Sequence, residues 1–256
     1  MTELVRPDGC RLYYEVHGDP NRSPLVLLEG MGGDIPGWRR NIPHLAAETF
    51  VVAYDLRGNG LSDAPDEPMT MATFVDDTLA LMDELGIERA HVYGQSLGGM
   101  IAQELVLTHP DRVCSLVLGC THSGHSHIVP TRGRAPKDRP WLQLYSPSFA
   151  AAHPEHVEDD LRVGRAQQQH PEGQRRQFEA VQAWDAYDRL PEIRVPTLVL
   201  HGSDDLLIDA ENARVIASRI PGAELVLLEG AGHVYHSEQA DLADAVVLDF
   251  LRRHTG

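Results

Sequence analysis

The stretch His91-Val92-Tyr93-Gly94-Gln95-Ser96-Leu97-Gly98-Gly99-Met100-Ile101-Ala102-Gln103-Glu104-Leu105 decides the fold of this 256-residue chain. Ala90 to Tyr93 is a short apolar run of the kind buried on both faces of a parallel sheet. From residue 97 the spacing turns helical and runs to about 109, where Pro110 stops it. Between the two, Gly94-Gln95-Ser96-Leu97-Gly98 sets a serine on a tight turn. The small residues two before and two after it leave room for that turn against neighbouring strands. A GxSxG pattern alone is weak, but one that joins a buried strand to a helix reads as a nucleophile elbow. The N–H of Leu97, at the helix N-terminus, then points toward developing negative charge.

Working outward, residues 10–17 alternate as an edge strand would, and Leu25–Leu28, Phe50–Tyr54, Val113–Leu118, Thr197–Leu200 and Glu224–Leu228 read as buried strands. Helices are predicted over roughly 70–85, with Thr70 as N-cap and Gly86 as stop, and over about 209–220 and 237–253. Strands alternating with helices define an α/β chain with a mostly parallel, doubly wound sheet. The pattern breaks between 121 and 192, a stretch rich in Pro, Arg, His and Gln with helical segments near 141–152, 154–169 and 173–187 and no convincing strand. This stretch is expected to form an inserted helical cap on a core of residues 1–120 and 193–256, because so long a connection is usually functional.

Lys and Arg number 22 against 38 Asp and Glu, a net charge of −16 that opposes binding to nucleic acid or to an anionic membrane surface. Cys10, Cys114 and Cys120 show no CxxC spacing, so neither a disulfide framework nor a thiolate zinc site is indicated. The opening MTELVRPDGCRLYYEV lacks the apolar stretch of a signal peptide. No run reaches the ~18 apolar residues of a membrane span. A cytoplasmic protein is expected.

A serine nucleophile needs a base and an orienting acid from the ends of later strands. PTLVLHGSDDLLI supplies Asp204 and Asp205 just past one strand, and ELVLLEGAGHVYHSEQ supplies His233 in the loop after the next. The chain order is Ser, Asp, His. With LLEGMGGDIPGW, YDLRGNGLSD and GQSLGGMIAQ, these stretches resemble the α/β-hydrolase fold superfamily, in the group of small esterases, enol-lactonases and cofactor-free haloperoxidases. The resemblance covers about 8–120 and 193–252.

Position by position, the resemblance implies Ser96 as nucleophile, His233 as base and Asp205, third after Gly202, as acid. It also implies the backbone N–H groups of Met31 and Leu97 as oxyanion hole. It implies no cofactor and no metal, and a small-molecule ester or lactone as substrate, cleaved through an acyl-enzyme. A monomer or a dimer fits equally. Where the family usually has His-Gly, this chain has Glu29-Gly30. A carboxylate beneath an anion site calls for a partner, with Arg57 a candidate, or for a role in tuning the site.

Glu29, Trp38, Trp141 and Tyr145 are candidate pocket residues. His236 is expected at the rim, and His91, His109 and His201 in the scaffold. The loop Asp55–Gly60 should brace the elbow, and the THSGHSH stretch, with His122, His125 and His127, reads as a cap hinge more than a metal site. Two other functions stay open. One is a carbon–carbon bond hydrolase or enol-lactonase acting on a ring-cleavage product, whose carboxylate the cap arginines 132, 134, 139, 162, 165, 175 and 176 could bind. The other is a receptor-like hydrolase fold that senses a small molecule.

Overall fold

A computed structural model describes residues 2–131, 133–166, 168 and 170–254. Among them, eight strands form one sheet in the order β1-β2-β4-β3-β5-β6-β7-β8. They are β1 Thr2–Val5, β2 Arg11–His17, β3 Pro24–Leu28, β4 Phe50–Tyr54, β5 Ala90–Gln95, β6 Val113–Gly119, β7 Thr197–Gly202 and β8 Glu224–Leu228. The β1–β2 and β2–β4 pairs are antiparallel and the remaining pairs parallel. Residues 10–17 do not form the edge strand their alternation suggested. The mostly exposed β1 pairs outside them, and one buried face gives the same alternation whether or not the other side of a strand is paired.

The helices are α1 Ile42–Ala46, α2 Met71–Glu84, α3 Leu97–Thr108, α4 Pro147–Ala152, α5 Pro154–Ala166, α6 Pro171–Gln182, α7 Glu211–Arg219, α8 Tyr235–Glu238 and α9 Ala240–Arg253. Thr70 caps α2 by accepting from the Thr73 N–H, which satisfies a first-turn donor. The period-two alternation of the central strands splits the core between the two sheet faces. In β3, Val26 and Leu28 join the cluster that contains Phe74 of α2 and Ile101 of α3. Leu25 and Leu27 join the cluster that contains Leu45 of α1 and Val247 of α9. The polar segment between β6 and β7 carries α4, α5 and α6. Residues 167 and 169, at the end of the predicted 154–169 helix, lie outside the described residues.

Strand order reverses between β3 and β5, and in open α/β sheets ligands bind at such a switch point beyond the strand carboxyl ends. Two glycines let the chain close there. A Cβ on Gly98 would lie 2.0 Å from the Leu28 carbonyl oxygen, and one on Gly94 would lie 2.2 Å from the Gly98 carbonyl oxygen. Gly98→Ala should therefore cost at least about 2 kcal/mol in urea unfolding, because backbone stands in the way of the added methyl. Gly164→Ala in α5, where a Cβ meets nothing within 4 Å, should be neutral or gain up to ~1 kcal/mol. Equal effects from the two substitutions would contradict the close approach.

Candidate active site

Ser96 adopts φ 54° and ψ −113°, a strained conformation for a residue with a side chain. Its backbone is held on both sides of the turn. The Ser96 N–H donates to Gly119 O at 2.8 Å, and its carbonyl accepts from Thr121 Oγ1 at 2.7 Å. The loop after β3 approaches closely, since a Cβ on Gly30 would lie 3.2 Å from Ser96 Cβ and 3.7 Å from Oγ. Met31 and Leu97 both line the cavity with Ser96. Among the described residues neither of their N–H groups has a protein acceptor.

His233 lines the same cavity. Its Nδ1 meets Asp205 Oδ2 at 2.7 Å, and the Gln95 side chain donates to the His233 carbonyl at 2.7 Å, tying the histidine loop to the strand that carries the serine. Among the described residues Ser96 and His233 share no hydrogen bond. Such contacts often close only around substrate. Asp205 is enclosed by donors: Oδ1 accepts from the N–H groups of Leu207 (2.7 Å) and Ile208 (2.9 Å), and Oδ2 also lies 3.2 Å from His201 Nε2. Burial alone would raise its pKa, but the charge of His233 and the bonds from His201 and His233 outweigh burial and hold it well below the usual carboxylate range. Asp204 is exposed, and among the described residues its side chain accepts only from Ser203 Oγ, at 3.1 Å.

The cavity holds roughly 630 Å³ and has a largely apolar lining that includes Met31, Met100, Ile128, Leu144, Phe178 and Leu207. Tyr145 lines it. Trp38 and Trp141 do not. Trp38 is 1% exposed and packs behind the site, 4.9 Å from both Tyr93 and His236. Trp141 lines a separate cleft with Arg139 and Arg165. His236 lies in the cavity wall, not at an exposed rim, and burial, helped by nearby His233, pushes its pKa down to about 3.

Glu29 lines the cavity at 8% exposure, and Arg57 is not its partner. The Arg57 guanidinium is taken by Asp77 (2.6 and 2.7 Å) and Asp8 (2.9 Å). Among the described residues Glu29 Oε2 is buried without a hydrogen-bond partner. Burial chiefly, with Asp34 and Asp55 adding, pushes Glu29 up to about 8, so it is uncharged at neutral pH. The Asp55–Gly60 loop braces the segment after β3 more than the elbow. Asp55 accepts from Ile35 N–H, and Asn59 donates to the carbonyls of Gly30 and Gly33.

Several contributors carried no sequence signal of their own. Glu238 Oε1 accepts from the Ser146 and Gly232 N–H groups at 3.0 Å each, and Arg39 and Arg40 both pair with Asp159 and Asp160 of α5. His201, expected in the scaffold, ends up against Asp205 because it stands four residues before it at the end of β7.

A serine on a strained strand-to-helix turn, a buried histidine–aspartate pair across one cavity and free backbone donors between them are the parts of a hydrolase of the α/β type. The alpha/beta hydrolase fold family matches the chain over residues 23–170 and 148–240. The chain belongs to this family and is a hydrolase. It is 33% identical over 261 residues to a Caulobacter sp. (strain K31) protein provisionally named carbamate hydrolase RutD, covering 94% of this chain and 95% of that one. The fold is similar to the enol-lactonase from Burkholderia xenovorans LB400, with TM-score 0.88, 30% identity and coverage of 98% and 100%. It is also similar to a hydrolase from Pseudomonas aeruginosa PA01, with TM-score 0.86, 31% identity and coverage of 98% and 97%. Among the described residues no helix is long and apolar enough to cross a membrane.

The protonated state of Glu29 is open to test. Its folded-state pKa lies above the ordinary 4.5, so the folded protein holds this proton more tightly than the unfolded chain does. Its burial therefore costs increasing stability as pH rises from about 4.5 towards about 8. Glu29→Gln has no such cost, and urea unfolding should show the variant gaining on the parent by roughly 4 kcal/mol between those limits. A gap that stays constant with pH would mean that Glu29 is not a raised acid.

Proposed function

We propose that the chain is a serine hydrolase that cleaves a carboxylic ester or lactone through an acyl-enzyme. The observation that carries this reading is the His233–Asp205 contact of 2.7 Å in a cavity shared with Ser96 and the unpaired N–H groups of Met31 and Leu97. With Nδ1–H donating to Asp205, His233 Nε2 is the basic nitrogen. It takes the Ser96 proton as Oγ attacks the carbonyl carbon, and the two N–H groups stabilise the oxyanion. Collapse expels the alkoxide, which receives the proton from His233; in a lactone the alcohol stays tethered to the acyl group. Water, deprotonated by His233, then attacks the acyl carbon, and Ser96 leaves with that proton. An uncharged Glu29 does not oppose the oxyanion.

The cavity favours a neutral substrate over the carboxylate of a ring-cleavage product. None of the six described cap arginines named from the sequence lines it, and Arg132 lies outside the described residues. Arg162 pairs with Asp159, Arg175 with Glu172 and Glu179, and Arg176 with Asp66. Residues 121–192 act as the cap in this reading, and their Leu144, Tyr145, Val163 and Phe178 supply part of the cavity wall. The name of the Burkholderia xenovorans neighbour, enol-lactonase, supports the lactone side of the proposal. Three unpaired cysteines support a cytoplasmic setting.

Ser96→Ala should lower kcat on p-nitrophenyl esters by at least ~10³ in a protein that still folds, and an unchanged rate would remove the nucleophile assignment. Asp205→Asn should fall at least ~10²-fold while Asp204→Asn stays within a few-fold; the reverse ranking moves the acid by one residue. Multiple turnover separates this reading from a receptor, which would show stoichiometric labelling of Ser96 and nothing further.

A further inference from the structure

His122 follows β6 and lines the cavity, with 7% of its surface exposed. The segment that carries it is tied to the elbow and to the helix that follows. Thr121 Oγ1 donates to Ser96 O at 2.7 Å, and Gln103 Nε2 of α3 donates to His122 O at 3.1 Å. The ring is oriented too, because its Nδ1 accepts from the Gly124 N–H at 3.1 Å. A ring nitrogen that accepts carries no proton, so His122 is a neutral imidazole with its hydrogen on Nε2. Burial acts in the same direction, lowering its pKa to about 4.

Among the described residues Nε2 has no hydrogen-bond partner, yet it is not among the polar atoms closed off from solvent. With the rest of the residue buried, the opening left to Nε2 is the cavity. Elsewhere in the wall, several polar groups are gathered around one carboxylate. Asp160 accepts from Ser237 Oγ at 2.5 Å and from Tyr145 OH at 3.2 Å, and it pairs with Arg39.

We infer that His122 is a specificity-determining donor whose Nε2–H binds a second oxygen of the substrate, an ether, ketone or hydroxyl other than the scissile carbonyl. This rests on the ester or lactone reading above and narrows it to esters and lactones that carry such an oxygen. An all-carbon chain in the same place strands a buried N–H in an apolar wall, and a site built to hydrogen-bond a substrate discriminates against that loss.

The test uses p-nitrophenyl pentanoate beside its isosteres, the ethoxyacetyl and methoxypropanoyl esters, in which an ether oxygen replaces one methylene. The readout is the ratio of kcat/KM for ether to pentanoate ester in the full chain. His122→Phe should lower that ratio about tenfold, mainly through KM. His122→Gln, whose amide N–H falls near the Nε2 position, should restore most of it. A ratio that His122→Phe leaves unmoved, including a uniform loss on every ester, overturns the inference and leaves the hydrolase reading standing. Calorimetry on Ser96→Ala protein with the methyl esters of the same acids reads the preference without turnover. There, adding His122→Phe should remove a tighter binding of the ether esters, and the absence of any ether preference overturns the inference even if Ser96 is not the nucleophile.

Discussion

The structure turns on how closely one helix can approach the end of a neighbouring strand. Ser96 is held at φ 54°, and that strain persists only because the surroundings over-determine it. Gly98 lets the first turn of α3 lie on the Leu28 carbonyl, and Gly94 lets β5 pass under the Gly98 carbonyl. Once those contacts form, Gly30 arrives beside Ser96, which brings the Met31 N–H to the same cavity as Leu97. Gln95, the residue before the serine, reaches the carbonyl of His233. The Ser96 turn thus sets the position of the loop after β3 on one side and of the His233 loop on the other.

Around that turn, carboxyl groups are driven in opposite directions by what faces them. Asp205 is as buried as Glu29, but two histidines and two backbone donors meet it, so it stays ionised. Glu29 meets no cation and sits near Asp34 and Asp55, so it keeps its proton. Asp34 is pushed up to about 6 by burial and by Asp55, and Glu238 up to about 7 by burial. Environments that separate pKa values in this way separate roles. One acid faces His233 as a carboxylate, and another stands beside the loop after β3 without adding a negative charge.

How much of this was legible in the sequence depended on whether the signal was local. The buried strands were readable from runs such as Pro24–Leu28 and Phe50–Tyr54, because a strand buried on both faces must be continuously apolar. The placement of Ser96, Asp205 and His233 just beyond strand ends was readable because each follows an apolar run within a few residues. Partners were not. Arg57 lies near Glu29 in no sense that sequence could deny, yet Asp77 on α2 takes it. Trp38 packs behind the site and Trp141 lines a separate cleft, and an isolated aromatic residue carries no periodicity to show either. β1 was missed because four largely exposed residues have no buried face to read. The tautomer of His122 depends on a turn at Gly124, which has φ 116°, and no pattern in THSGHSH shows that bond.

The charge of −16 gains a local meaning from the ion pairs. An acidic chain with arginines concentrated between β6 and β7 invites the idea of an anion-binding lid, but the carboxylates outnumber the arginines and reach them first. Arg39 and Arg40, on the loop after β3, take Asp159 and Asp160 of α5, and Asp160 in turn gathers Ser237 and Tyr145. These groups spend their charge in fastening α5 to the loops that carry the Met31 N–H and His233. An arginine so engaged offers a substrate carboxylate little, since binding it would first require breaking a partly buried pair. The same pairs that position the wall of the cavity therefore leave it without a free positive charge among the described residues.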